Sequence, residues 1–251
     1  MLSLNRPLSQ LSSAVPLYIQ IADGLLEQIE NGQLEPGSRI PSERELSTQL
    51  GVNRMTLRQA LHMLESRGLL VRRQGDGTYV AEPKIEQPMG QWLPMLKDEG
   101  SGGMRLGAQV IDVSRHAAET SVARELQIPV SSQVYTIVRL RTMNQEPVVL
   151  EKLTVPVQPF PDLERFDLSA RLVYDLMALE YDTQISRVRQ SLEPVSASRF
   201  EAELLHIKPG ASLLLERRLA FDQNGRPVEY GKDLYRGDRF RFVTETLPRK
   251  N

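Results

Sequence analysis

The sequence predicts an α+β protein built from an N-terminal winged helix-turn-helix followed by an antiparallel sheet covered by helices. Three observations lead there. Residues 17–80 carry three helical stripes and then two short strands around a glycine turn; a proline-bearing stretch without a clean period follows; and beyond it runs a degenerate internal repeat. A chain of 251 residues is long for one domain and comfortable for two, so the expected division is 10–82, a linker at 83–95, and 96–251.

The first helix is predicted from Leu17 to Asn31, where Tyr18, Ile21, Leu25 and Ile29 recur at helical spacing and Asn31-Gly32 supplies a stop. Pro36-Gly37 turns the chain. Ser42 followed by Glu45 reads as a capping box that opens a second helix ending at Leu50. Gly51-Val52 is a tight connection, Asn53 an N-cap, and Leu57, Leu61 and Leu64 the inner face of a third helix that Gly68 can end. Two helices joined so closely form a helix-turn-helix. Leu69 to Val80 then reads as strand, glycine turn and strand, which is the wing.

The linker is placed where Pro83, Pro88 and Pro94 interrupt any period, with Trp92 expected to pack on the second domain. In that domain, Ala123, Leu126, Ile128, Arg139 and Leu140 align with Ala202, Leu205, Ile207, Arg218 and Leu219 at a constant offset, and Pro147-Val148 align with Pro227-Val228 one residue further on. Each copy reads as a helix and then a hairpin, with tips at Asn144-Gln145-Glu146 and Gln223-Asn224-Gly225-Arg226. A helix near Arg171 to Tyr181 lies between the copies. Together they predict a sheet with helices on it and a cleft between the halves.

Composition bounds the function. Hydrophobic residues at 40% and charged residues at 25% are ordinary globular values and exclude wholesale disorder. The absence of cysteine removes disulfides, thiolate metal sites and cysteine nucleophiles. His62, His116 and His206 lack ligand spacing, so no metal and no cofactor are expected. Nothing near the start resembles a signal peptide and no apolar run reaches the ~18 residues of a membrane span, so a cytoplasmic protein without a membrane partner is expected.

A net charge of −1 gives no hint of nucleic acid, but its distribution does. Between Gly37 and Gln74 stand seven arginines (Arg39, Arg44, Arg54, Arg58, Arg67, Arg72 and Arg73) against three glutamates (Glu43, Glu45 and Glu65). In a helix-turn-helix the first turns of the second helix reach base edges, which here offers Asn53, Arg54, Thr56 and Arg58. Arginine can fork onto guanine O6 and N7, and Arg54 and Arg58, four apart, share a face. Arg44 opens the preceding helix, where phosphate or a base is in reach. On the wing, Arg72, Arg73 and Gln74 flank Gly75 and Gly77, whose missing side chains permit close approach to a duplex. Arg39 and Arg67 read as solvated surface.

Pro41-Ser42-Glu43-Arg44-Glu45-Leu46, the run from Gly51 to Leu61, Gly68-Leu69-Leu70 and Gly75-Asp76-Gly77-Thr78-Tyr79-Val80 resemble the DNA-binding domain of GntR-family transcription regulators. The resemblance implies a homodimer on an imperfect palindrome of double-stranded operator DNA, with Arg44, Arg54, Arg58 and Gly75 at the DNA; with the reading of the residues themselves, the expected interface is Ser42, Arg44, Asn53, Arg54, Thr56, Arg58, Arg73, Gln74, Gly75 and Gly77. Met55 departs from it, since relatives often carry serine or threonine there.

In the second domain, Arg139 and Arg141 alternate onto one strand face, and Glu151 on the returning strand can meet it, as can Glu229, Tyr230 and Tyr235 from the second copy. Arginine forks recognise carboxylate or phosphate, so a small anionic ligand with hydroxyl or amine donors fits; the bland alternative is a set of surface cross-strand pairs. Arg139-Leu140-Arg141, Pro147 to Glu151, Val173 to Leu176 and the run from Arg226 to Phe240 resemble the UTRA ligand-sensing domain of the HutC subfamily, similar in fold to chorismate lyase. That resemblance implies an effector pocket lined by Arg139, Arg141, Glu151, Glu229 and Tyr235, and a phosphosugar or organic acid as effector. Leu172 stands where sugar-phosphate binders often have serine. Two further classes are open to this sequence: a lyase using the same cleft, and a constitutive DNA-binding structural protein. A complete winged helix on the chain favours a ligand-controlled repressor over a lyase, and fold alone does not establish chemistry.

Overall fold

The computed structural model describes residues 15–73, 75–89 and 106–246, and the chain divides into two units at Pro83 and Lys84. Trp92 and Gln74 lie outside the described residues.

In the first unit, helix α1 (Leu17–Glu30) buries Ile21, Ala22 and Leu25. Helix α2 (Glu43–Leu50) begins at the expected capping box and closes on Gly51, whose φ of 65° is a left-handed turn suited to glycine. Helix α3 (Arg54–Ser66) starts at Asn53 and buries Leu57, Ala60, Leu61 and Leu64. Strands β1 (Leu70–Arg73) and β2 (Gly77–Val80) pair antiparallel as the wing. Leu70 and Val80 join the helices in one core with Leu34, Ile40 and Leu46. The buried apolar positions of the helices and strands recur at their own periods, and Leu34 and Ile40 join them from the connection between α1 and α2.

The second unit opens unexpectedly. Residues within the predicted linker form strand β3 (Ile85–Pro88), which pairs in parallel with β10 (Phe240–Val243) near the other end of the unit. Pro88 is tolerated because it is the last residue of a two-stranded edge, where a missing N–H costs least. The main sheet contains β4 (Leu106–Ala117), β5 (Gln133–Met143), β6 (Glu146–Pro156), β7 (Ile185–Ser196), β8 (Ser212–Asp222) and β9 (Pro227–Arg236), in the order β4-β5-β6-β9-β8-β7 with all neighbours antiparallel.

The repeat is real in space. Each copy runs strand, short helix and hairpin: β4, α4 (Thr120–Leu126), β5 and β6, then β7, α6 (Arg199–Leu204), β8 and β9. A bulge skips Val148 opposite β5 and Val228 opposite β8, the same position in each copy. The copies meet where β6 pairs β9, and Lys152, opposite Lys232, marks the pseudo-twofold between them. The hairpin turns differ. Asn144 and Gln145 both take positive φ (50° and 69°), as a two-residue primed turn requires, whereas Asp222 accepts backbone N–H bonds from Asn224 and Arg226 to close the longer second turn.

Strand alternation assigns the two faces. Helix α5 (Val173–Tyr181) packs Tyr174, Leu176 and Met177 with Tyr135, Ile137, Leu153, Val155 and Ala220. On the opposite face α4 covers Val134, Leu219 and Phe221, and α6 covers Leu140, Leu150 and Leu213. The α5 side is apolar at one end, and at the other its strand positions are charged. Because the first unit has its own core, Leu61→Ala, at a site 1% exposed, should cost that unit ~2–5 kcal/mol. Denaturant unfolding should then show an earlier first transition with the second unit's transition unmoved; an equal shift of both would mean that the units unfold as one.

Candidate functional sites

The two units present two sites. On the first, Ser42 and Asn53 are occupied as caps: Ser42 Oγ accepts from the Glu45 N–H at 3.3 Å, and Asn53 Oδ1 accepts from the Met55 N–H at 2.8 Å. Their side chains thus fix where α2 and α3 begin. Arg44 and Arg54 are exposed and form no salt bridge among the described residues, while Thr56 is half-buried and Met55 fully presented. Arg58 is held by Glu43, donating from Nε at 3.1 Å and Nη2 at 2.8 Å to the same Oε2, and Arg72 of β1 donates to the other oxygen. The Arg58 hydrogen bond is the main reason that the Glu43 carboxyl titrates below its usual range.

At the wing, Arg73 stacks over the Tyr79 ring at 4.2 Å and the Tyr79 hydroxyl donates to Asp76. Gly75 takes a φ of 77°. A Cβ at Gly77 would lie 2.7 Å from Arg39 Nε, the movable end of an exposed side chain, so it is the φ of 151° that favours glycine there. Arg39, read from sequence as solvated surface, therefore rests its guanidinium across the wing. Its bridge to Tyr79 is non-local, and no local pattern announces it.

On the second unit, Arg139, Arg141, Glu151 and Glu229 are brought together on the α5 side of the sheet, with Tyr235 at the margin. They are not surface pairs. Arg139 is 2% exposed and Glu229 fully buried. Glu151 Oε2 accepts from Arg139 Nε at 2.9 Å and from Arg141 Nε at 2.7 Å, while Arg139 Nη1 caps the carbonyls of Leu168 and Arg171. Tyr230 is the exception: its strand parity turns it to the α4 side, where it packs with Leu219 and Phe221.

Four members of this cluster were not singled out as site residues. Arg218 donates to Asp233 at 2.7 Å, to the Tyr174 hydroxyl at 3.1 Å and to Glu229 at 3.3 Å, and lies 3.3 Å from Glu216. Tyr174, noted only within the α5 motif, donates to Glu229, and Tyr235 donates to Glu216 at 3.0 Å. The signal for Arg218 was present, since the repeat aligns it with Arg139. Glycine makes the space: where the first copy has Glu151, the second has Gly231, and a Cβ there would stand 2.6 Å from Glu229 Oε1 and 2.9 Å from Arg218 Nη2.

Three guanidiniums here face four carboxylates, Glu151, Glu216, Glu229 and Asp233. Burial pushes Glu151 up, but Arg139 and Arg141 outweigh it and hold its carboxyl below the usual range. Asp233 goes the other way: burial, only partly opposed by Arg218 and reinforced by the neighbouring carboxylates, raises it to about 7. One donor is left over. Arg141 Nη2 is buried and finds no hydrogen-bond partner among the described residues. Among those residues no group of three acidic or histidine side chains could hold a metal, and no helix is long and apolar enough to cross a membrane.

A winged helix with exposed arginines, joined to a separate domain, is the build of a DNA-binding transcription regulator. The chain belongs to the GntR family: residues 17–80 match the model of the gntR family of bacterial regulatory proteins and residues 101–241 that of the UTRA domain. It is 38% identical over 231 residues to the HTH-type transcriptional repressor NagR of Bacillus subtilis, covering 92% of this chain and 95% of that protein. It is 32% identical to the histidine utilization repressor of Pseudomonas putida, covering 90% of each. Among solved structures, PhnF from Mycobacterium smegmatis superposes with a TM-score of 0.65 at 28% identity, over 92% of this chain and 99% of that one. These relatives are transcription regulators, not enzymes, and the chain is a repressor of the HutC type.

Because Asp233 holds its proton to about pH 7 in the folded chain but only to about 4 when unfolded, the native state binds the extra proton between those values. Stability should therefore fall as pH rises through that window. Unfolding of the second unit, followed from pH 5 to 8, should show this decline, and Asp233→Asn should flatten it. An undiminished slope in the variant would assign the proton to another group. The opposite loss, from Glu151, belongs to lower pH, below 4.5.

Proposed function

We propose that this protein is a cytoplasmic, homodimeric repressor whose hold on a palindromic operator is controlled by a small anionic metabolite, a phosphosugar or an organic acid. Arg44, Arg54, Arg58 and the wing from Arg73 to Gly77 meet the DNA, with Ser42, Asn53 and Thr56 at the ends of the two helices. Arg139, Arg141, Glu151, Glu229 and Tyr235 receive the effector. The observation that carries the second half is the unpartnered Arg141 Nη2, because a buried donor without an acceptor is costly and a ligand oxygen would satisfy it.

The chemistry of the cluster narrows the effector. The carboxylates that already neutralise the arginines also offer acceptors to hydroxyl or amine groups, so a polyhydroxylated or amine-bearing anion matches better than a bare one. Relatives at comparable identity are named for the use of fructoselysine and of histidine, which supports a nutrient-derived effector without choosing between sugar and acid. Control follows if the effector binds one arrangement of the dimer more tightly than the arrangement that fits both half-sites.

Arg54→Ala should weaken binding to a palindromic duplex from the gene's upstream region roughly 10- to 100-fold, the equivalent of ~1–3 kcal/mol for one arginine–guanine fork, without moving the unfolding midpoint. Fluorescence anisotropy measures the first and calorimetry the second. In the same assay a panel of phosphosugars and organic acids should contain a compound that releases the DNA, and Arg141→Ala should abolish that release while DNA binding persists. Selective binding by Arg54→Ala equal to wild type would refute the recognition-helix assignment.

A further inference from the structure

We propose that Glu43 is a specificity-determining residue of the DNA interface, a positioning group that grips Arg58 by its side-on edge and Arg72 by Nη2 and leaves the end-on fork of Arg58 free for a base. This rests on the operator-binding reading of the first unit and deepens it. A guanidinium has two useful forks, a side-on one formed by Nε and Nη2 and an end-on one formed by the two Nη groups. Arg58 gives Glu43 Oε2 its side-on pair, at 3.1 and 2.8 Å. Arg72 gives Oε1 its Nη2, and its Nε lies 3.4 Å from Glu65 Oε1 without a hydrogen bond, so Arg72 is held by one contact where Arg58 is held by two. The arginine side chains remain 55% and 50% exposed, against 22% for Glu43, so the guanidiniums are the more accessible partners.

Two physical consequences follow. An arginine whose rotamer is already fixed loses less entropy when its end-on fork meets a guanine edge, so operator binding benefits from the tether. Glu43 and Glu65 also offset the charge of Arg58 and Arg72, which reduces the attraction to phosphate that every DNA sequence shares. Arg44 and Arg54, without such partners among the described residues, keep their full charge. The pair thus contributes to the ratio of specific to non-specific affinity. The competing account is an exposed ion pair that only helps to fasten α2, α3 and β1 together.

The test uses the full-length protein, a palindromic duplex from the upstream region and a scrambled duplex of equal length, across a salt series. Glu43→Gln keeps the size and one acceptor but drops the charge. Affinity for the scrambled duplex should rise several-fold, its salt dependence should steepen by about one counterion, and the selectivity ratio should fall about tenfold. Glu43→Asp keeps the charge but withdraws the carboxylate, and should lower the ratio with the salt slope unchanged. Wild-type ratios and slopes in both variants, with only a lower unfolding midpoint, would overturn the proposal and leave a structural ion pair. If Arg54→Ala loses selectivity while both Glu43 variants keep it, the operator reading stands and this inference alone fails. A wild-type protein that cannot tell the duplexes apart removes both.

Discussion

A charge withdrawn from water must find its counterpart within the fold, and the second unit withdraws seven of them onto one sheet face. That constraint organises the rest of the domain. Arg139 and Arg141 can be buried only because β6 returns Glu151 beside them, and Arg218 only because β9 supplies Glu229 and Asp233 within reach. The antiparallel pairing of β6 with β9 is what puts the two sets on one surface. Such networks add little stability over an apolar core, but a register slip by one residue would turn every charged group to the wrong face. The cluster therefore fixes register as well as chemistry.

The cluster also explains why the two copies of the repeat are not interchangeable. Arg139 and Arg218 occupy the same position in their copies, yet Glu151 in one is answered by Gly231 in the other. In the first copy the carboxylate lies directly across the ladder from its arginine. In the second, the empty glycine position lets Arg218 reach along β9 to residues on either side of it. Doubling has produced a symmetric frame with an asymmetric interior, in which Nη2 of Arg141 finds no hydrogen-bond partner among the described residues.

Much of this was legible in the sequence because it obeys short periods. The caps at Ser42 and Asn53, the apolar stripe of α3, the wing glycines and the alternation of Arg139 with Arg141 are decided within a few residues of chain. What was missed depends on partners far away. Strand β3 exists because it pairs with residues more than 150 positions later, and its own composition, with Pro88, argues for a linker. Asp233 and Glu216 sit at parities that strand alternation predicts, but nothing local says that their face is buried at that end. Tyr230 was placed with Glu229 although adjacent strand residues point to opposite faces, an error that alternation itself corrects. Arg39 belongs to the same category, since its contact with Gly77 crosses from one loop to the wing.

The parallel pair β3–β10 gives the buried cluster a short path to the start of its domain. Tyr235 donates to Glu216 inside the cluster, and its ring meets Phe240 and Phe242 of β10 edge-on, each at 5.1 Å between centroids. β10 in turn holds β3 by backbone bonds, and Lys84 at the first position of the unit donates to the Gly237 carbonyl at 2.8 Å. Packed aromatic rings cannot shift singly without opening voids or clashes. A displacement of Tyr235 would thus have to be accommodated by β10 and by β3, which is paired with it. The second unit therefore begins with a strand anchored, through β10 and Tyr235, to its own buried cluster.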